Sequence, residues 1–353
     1  MRWFAPAFCP FGEIAMKAYE LTPGVNGPEA LTLVEKAEPE AGPGQIKLKV
    51  KAISLNFRDI MIANNLYGGP RQTAIQPISD GAGEIVAVGE GVKSLTVGDR
   101  VAPLFFPDWQ DGQAQFPKIA RSLGATAPGM AAEYTVHRES EVVKLADHMS
   151  FEDGASLPCA ALTAWHALIG RGGPNQLIAG QTVLALGTGG VSIFALQIAK
   201  LSGARVIVTS SSDAKLERAK TLGADGLINY RSNAEWQKTV LEMTGGVGVD
   251  HVLEVGGAGT FPRSAQATTM QGKISLIGGL SGSTEPVSLG AMFGKNVSGI
   301  TVGSRAMMEA MVKAFAVAKT QAVIDKDYAF DQLAEAFRYQ ISGSHFGKIV
   351  VSL

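Results

Sequence analysis

Cysteine is nearly missing. Cys9 and Cys159 are the only two in 353 residues, too few for a disulfide framework or for a metal site built from four thiolates, and a reducing cytoplasm is the simplest setting. Histidine is scarce as well. His137, His148, His166, His251 and His345 show no HxxxH or other ligand spacing, so their arrangement points to no metal. Neither sign of charge dominates: 31 Lys and Arg against 32 Asp and Glu leave a net charge of −1. That removes the basic field that a nucleic acid or an anionic membrane surface requires. No apolar run reaches the roughly eighteen residues of a membrane span. The first fifteen residues carry two prolines and one arginine, and lack the apolar core of a signal peptide. They read as a loose extension, with Met16 as the natural start.

What is present is apolar content of 46% with only 18% charge, over a length that suits two domains. The informative stretch runs from 182 to 215. Thr182 to Leu186 is a short apolar run ending at Gly187-Thr188-Gly189-Gly190-Val191-Ser192. Val191, Phe194, Ala195, Ile198 and Leu201 then recur at helical spacing, Gly203 marks the stop, and Arg205 to Val208 is a second apolar run. A GxGxx turn that leaves a strand and opens a helix predicts a dinucleotide site: glycines let the backbone approach a pyrophosphate, whose charge meets free N–H groups and the positive helix end. Ser192 replaces the third glycine and is small enough to fit. A rival cluster, Gly245-Gly246-Val247-Gly248, precedes a strand and reads as a turn.

An NAD site places an Asp or Glu at the end of the second strand, against the ribose 2′-hydroxyl. Here the chain reads Thr209-Ser210-Ser211-Ser212, with Lys215 one helical turn on. Three hydroxyls and a cation suit a 2′-phosphate, so NADP(H) is the expected cofactor; Ser212 also reads as the cap of the next helix.

Elsewhere, the stretch from Leu31 to about Val143 is β-rich, with alternation in Gln45 to Lys51. A helix is expected over roughly Phe151 to Ile169. Strands are expected at Gly226 to Asn229, His251 to Val255, Lys273 to Ile277 and Gly347 to Val351, and a helix at Met307 to Lys319.

Taken together, Ser54-Leu55-Asn56-Phe57-Arg58-Asp59, the run Gly81 to Gly89, Val97-Gly98-Asp99-Arg100-Val101, Ala161-Leu162-Thr163-Ala164-Trp165 and the fingerprint resemble the zinc-free, quinone-oxidoreductase-like branch of the medium-chain dehydrogenase/reductase superfamily, from about Met16 to Leu353. The resemblance implies an α/β protein: a GroES-like β-barrel catalytic domain over 1–160, completed by 306–353, and a Rossmann domain with a doubly wound parallel sheet over 161–305, with the active site between them. Zinc-dependent relatives have a Cys at the position of Asn56 and a His-Glu pair at Ser79-Asp80, and their cysteine lobe corresponds to Pro103 to Met130, which lacks cysteine. Without a metal Lewis acid, hydride transfer is easiest to a conjugated carbonyl, where charge develops on an enolate or phenolate oxygen that hydrogen bonds can hold.

By the same resemblance Asn56 and Tyr67 are the catalytic candidates, Asn56 as an amide donor and Tyr67 as a proton donor or a wall of the pocket. Arg58 and Asp59 read as an internal ion pair, and Cys159 as a packed small hydrophobe. Thr163, Gly187, Thr188, Gly189, Gly190, Val191, Ser210, Ser211, Lys215, Tyr230, Ile277, Gly278 and Val302 are the expected cofactor residues. The segment Gly299 to Val302 resembles an edge strand that pairs across a two-fold axis, implying a homodimer. The expected substrate is a small quinone, enone or enal. Enoyl-thioester reduction, zinc-free alcohol dehydrogenation and non-catalytic NADPH binding are the alternatives.

Overall fold

The structure, a computed structural model, describes residues 15–170, 176–280 and 286–353; the N-terminal extension with Cys9 lies outside them. The chain begins with an antiparallel pair, β1 (Ala15–Leu21) and β2 (Leu31–Ala37). Five strands follow: β3 (Gln45–Ser54), β4 (Asp80–Val88), β5 (Arg100–Pro103), β6 (Tyr134–Arg138) and β7 (Val142–Lys144). The alternation of β3 predicts one wet face, yet Lys47 is buried, its ammonium held between Glu38 at 2.7 Å and Glu40 at 3.2 Å. Pairing the charge lets the strand carry a lysine inside.

Parallel strands covered on both faces build the second half. In β8 (Thr182–Leu186) and β9 (Arg205–Ser210) every residue after the first is buried, as expected where helices pack on both sides. With β10 (Gly226–Asn229), β11 (Val249–Glu254), β12 (Thr268–Leu276) and β13 (Asn296–Gly299) they form one parallel sheet, ordered β10-β9-β8-β11-β12-β13. Strand order reverses between β8 and β11, so the crevice at their carboxyl ends is the ligand position of a doubly wound sheet. The rival glycine cluster is a turn: Gly245, Gly246 and Gly248 all have positive φ between the helix Trp236–Met243 and β11.

The chain then returns. β14 (Ile324–Ala329) pairs with β15 (Lys348–Ser352), and β15 lies antiparallel on β3, giving the order β14-β15-β3-β4-β5-β7 with β6 also on β3. The helix Arg305–Ala318 makes the crossing, with Phe315 stacked on Phe194 of the fingerprint helix at 6.3 Å. The continuous helix expected over Phe151 to Ile169 is broken. Phe151–Ala155 and Leu162–Leu168 are α-helical, and between them Leu157–Ala161, which contains Pro158, winds as a π turn. The edge strand also lies earlier than expected: it is β13, and Val302 sits beyond it at φ +35°.

Packing also sets the pH response. Burial pushes the imidazoles of His137, His251 and His345 down to about 4, so the unfolded chain takes up these protons near pH 6.5 and the folded chain only near 4. Their stabilising contribution is complete above about 6.5 and is lost as pH falls through 4. Asp59 runs the opposite way: burial raises it from 3.8 to about 6, so its contribution is greatest below 3.8 and is lost as pH rises through 6. Burial likewise lowers His166 and raises Asp80, so four imidazoles stand against two carboxyls. The melting temperature is therefore expected to rise by several degrees between pH 4.5 and 6.5, and His251→Gln to flatten that rise in a calorimetric scan.

Candidate active site

The glycine turn follows β8. Gly187 has φ +75° and nothing within 4 Å of where a Cβ would stand, and Gly189 has only His345 Nε2, at 4.0 Å. Both backbones are therefore open to a ligand at the start of the helix Gly190–Leu201, where the N-cap brings no side-chain acceptor of its own. Ser192 fits in place of glycine by donating its hydroxyl to the Leu186 carbonyl at 2.6 Å. Gly190 serves another purpose: a Cβ there would lie 2.7 Å from Lys348 Cδ and 3.1 Å from Ala160 Cβ. Val191 is half-buried beside it. The C-terminal loop closes one side of the turn, since the Gly347 N–H donates to the Thr188 carbonyl at 2.9 Å.

At the end of β9 the sequence-predicted 2′-phosphate residues gather. Ser210 pairs with Asn229 in the sheet, and Tyr230 donates its N–H to the Ser210 carbonyl at 3.0 Å. Ser211 is half-buried and Tyr230 is 42% exposed. Ser212 caps the next helix through Lys215 N at 3.4 Å, while Asp213 is taken by Asn229 Nδ2 at 2.7 Å. Lys215 reaches across to the Gly343 carbonyl at 2.7 Å. These contacts tie the end of β9 to the same C-terminal loop.

Across the switch point Ile277 and Gly278 follow β12, and both donate to the Glu254 carbonyl. Glu254 is a member of this region that the sequence reading missed. It is fully buried, with Oε1 accepting from Gly256 N, Gly257 N and Thr260 Oγ1, and Oε2 from Ser264 Oγ. Its acceptors shape the loop after β11. Val302 is a β-branched residue in the left-handed region, which costs on the order of 1–3 kcal/mol. Its carbonyl is held by His166 Nδ1 at 2.8 Å, and Trp109 meets that imidazole edge-on at 5.8 Å. Thr163 is buried on the same helix as His166.

The catalytic candidates meet where β3 ends. Asn56 is the N-cap of the helix Phe57–Ala63, but its side chain does not cap. Asp59 Oδ2 accepts from the Asn56 N–H at 2.7 Å instead. Freed from capping, Asn56 Oδ1 accepts from Lys348 Nζ at 2.7 Å, and the same ammonium donates to the Leu55 carbonyl at 2.7 Å. Asn56 Nδ2 is buried with no hydrogen-bond partner, although the amide lies near enough to the Asp80 carboxylate to favour its charged form. Asp80 is fully buried and accepts from Ser79 Oγ at 2.7 Å and Cys159 N at 2.9 Å, the latter presented by the π turn. Burial raises Asp80 and lowers Lys348, each resisted by the other's charge. Burial likewise keeps the Cys159 thiol protonated.

Arg58 and Asp59 do not form the expected ion pair. Arg58 instead donates to the Leu123 carbonyl at 2.7 Å and to Ser122 Oγ at 3.2 Å, with its guanidinium over Phe105 at 4.3 Å and Tyr67 at 5.0 Å. Adjacent residues on a helix point apart, so one faces the lobe and the other the helix start. Tyr67, 42% exposed, is joined to the centre through Arg58.

Two family models match parts of the chain: one described as the alcohol dehydrogenase GroES-like domain over residues 42–147, the other as zinc-binding dehydrogenase over 190–317. A zinc-type alcohol dehydrogenase-like protein of Schizosaccharomyces pombe is 42% identical over 336 residues, 93% of this chain and 97% of its own length. The chain belongs to the medium-chain dehydrogenase/reductase superfamily. Its fold also matches a solved NAD-dependent alcohol dehydrogenase, at TM-score 0.87 and 31% identity over 96% of this chain and all of that one. A quinone oxidoreductase from Pseudomonas syringae pv. Tomato DC3000 matches at TM-score 0.79 and 30% identity, over 96% and 100%. The protein is thus an oxidoreductase of this superfamily, whose solved neighbours include the NAD-dependent alcohol dehydrogenase and a mycobacterial protein complexed with NADPH.

The superfamily's zinc does not fit the residues present. Asn56 and Ser79 offer an amide and a hydroxyl, Asp80 is committed to Ser79 and Cys159, and an ammonium stands among them. A dication beside Lys348 would meet repulsion at short range in a poorly screened interior. Among the described residues no group of three His, Cys, Asp or Glu is placed to hold a metal, and no helix is long and apolar enough to cross a membrane. A nicotinamide dinucleotide does fit, along the open turn at Gly187 and Gly189.

Proposed function

We propose that this oxidoreductase is a zinc-independent, NADPH-dependent reductase that delivers hydride to a conjugated carbonyl: a quinone, an enone or an enal. The observation that carries the reading is the buried Asn56 amide, whose oxygen is engaged by an ammonium and whose Nδ2, beside the Asp80 carboxylate, makes no hydrogen bond within 3.5 Å. An unsatisfied buried donor costs on the order of 1–3 kcal/mol, and a substrate oxygen would recover it. When bound, the nicotinamide supplies the hydride. Asn56 Nδ2 donates to the carbonyl oxygen as negative charge develops there, and the hydrophobic and aromatic side chains of Phe105 and Tyr67 flank the acceptor. Ser210, Ser211, Lys215 and Tyr230 hold the 2′-phosphate, and Thr163, Ile277, Gly278 and Val302 line the nicotinamide end.

The test is cofactor oxidation followed by absorbance, with NADPH and NADH in parallel, against quinones, enones, enals, crotonyl thioesters and simple aldehydes, with and without chelator. Chelator-insensitive turnover of conjugated acceptors with NADPH is expected. Turnover confined to unconjugated substrates, or chelator-sensitive turnover, would replace this reading with alcohol dehydrogenation. Ser211→Asp with Lys215→Ala is expected to cut kcat/KM for NADPH roughly 10- to 100-fold and leave NADH within a few-fold, because a charge-assisted contact is replaced by repulsion.

The reading includes a homodimer through β13, a sheet-edge strand flanked by exposed Met270, Leu289 and Phe293, the last two more than 80% accessible. An uncovered edge beside large apolar side chains suits pairing with a second copy. Light scattering is expected to give a dimer mass, and Leu289→Asp with Phe293→Asp to halve it.

A further inference from the structure

Lys348 reaches the catalytic centre from far along the chain. β15 runs antiparallel to β3 with Val350 opposite Ser54, and the Leu55 N–H donates to the Ile349 carbonyl, so Lys348 falls beside Asn56, 292 residues away in sequence. Its stem passes the start of the fingerprint helix, in the space left by the missing Cβ of Gly190. The residue before it, Gly347, has φ +77° and is bonded to the glycine turn through Thr188. One side chain therefore spans from the glycine turn to the Asn56 amide.

A lysine buried only to neutralise Asp80 or Asp59 would place its ammonium against a carboxylate. Lys348 makes an ion pair within 4 Å with neither; its hydrogen bonds go to the Leu55 carbonyl and Asn56 Oδ1. An ammonium can only donate, so it selects which end of the amide it meets. Asn56 is held with its oxygen on Lys348, while its Nδ2 makes no hydrogen bond within 3.5 Å and has the Asp80 carboxylate as its polar neighbour. A donor whose partner oxygen is already bonded to a cation is polarised further, since hydrogen bonds in series strengthen one another.

We propose that Lys348 is a positioning residue that orients and polarises Asn56, so that a buried ammonium, one hydrogen bond behind the donor, stabilises the oxyanion where zinc-dependent relatives rely on a metal. This rests on the reductase reading above. It also explains why the position is served by an element from the other end of the chain: the cation arrives with the strand that docks on the cofactor turn.

The test is a double-mutant cycle of Asn56→Ala and Lys348→Met, measured as kcat and KM on an acceptor that the wild type reduces, with NADPH affinity read separately from cofactor fluorescence. Because Lys348 acts through Asn56, Asn56→Ala is expected to lose roughly 10²- to 10³-fold in kcat and Lys348→Met roughly 10- to 100-fold, with the double variant losing no more than the worse single one. NADPH dissociation constants are expected to stay within about threefold of wild type. If K348M does not fold, K348M/D80N removes the facing charge as well and enters the same cycle in its place. Losses that multiply in the double variant, or a K348M defect confined to NADPH affinity with kcat unchanged, would overturn the inference while leaving the reductase reading intact. A wild type that turns over no conjugated acceptor would overturn both.

Discussion

Gly189→Val is expected to abolish productive NADPH binding while leaving the fold intact. Gly189 has φ −78°, ordinary for any residue, and the space where its Cβ would stand is open apart from His345 Nε2 at 4.0 Å. The valine methyls would fill the volume that a pyrophosphate needs to approach the helix N-terminus. A loss of at least about 100-fold in affinity, near 2.7 kcal/mol, is expected by fluorescence titration, with a melting temperature within about two degrees of wild type. Gly190→Ala, one residue on, has the reverse signature. Its methyl would press on Lys348 Cδ at 2.7 Å and Ala160 Cβ at 3.1 Å, so stability falls by roughly 1–3 kcal/mol. Equal effects of the two variants on stability would mean that the turn is a packing feature and not a ligand cradle.

Asn56→Asp carries the second large effect. The change is isosteric, keeps the Lys348 contact and strengthens it as an ion pair, yet it replaces the free Nδ2 donor with an acceptor. A substrate oxygen gaining negative charge would then meet a carboxylate. The kcat is expected to fall roughly 10²- to 10³-fold, the loss seen when one oxyanion donor is removed, with NADPH affinity nearly unchanged. Wild-type kcat in this variant would remove Asn56 from the chemistry and leave Tyr67, packed on Arg58 at 5.0 Å, as the remaining sequence-predicted donor.

Much of the fold was legible before any coordinates. Continuous apolar runs such as Thr182–Leu186 and the 3.6-residue recurrence after Gly190 are local, and parallel strands covered on both faces have no other common sequence form. The elements that differ have particular causes. β14 was missed because Ile324–Ala329 holds Asp325, Lys326 and Asp327, charges that suit the edge of a sheet and hide its period. The helix over Phe151 to Ile169 was drawn too regular because its π turn is imposed by packing, with Cys159 N turned toward Asp80. The strand placed at Gly299 to Val302 lies at Asn296–Gly299, where its partner β12 is available.

The sequence by itself determined the two-part architecture and the strand–glycine turn–helix unit, because each is stated by residue type and spacing within a few dozen positions. Glycine conformation and helical period need no distant partner. Only the tertiary structure decided how the site is charged. Whether Asn56 caps its helix or faces Lys348 depends on strands nearly three hundred residues apart meeting in one sheet, and whether Arg58 pairs with Asp59 or with the lobe at Leu123 depends on a contact 65 residues away. In a poorly screened interior such a charge acts strongly on whatever it touches, and no local pattern records which neighbour that will be.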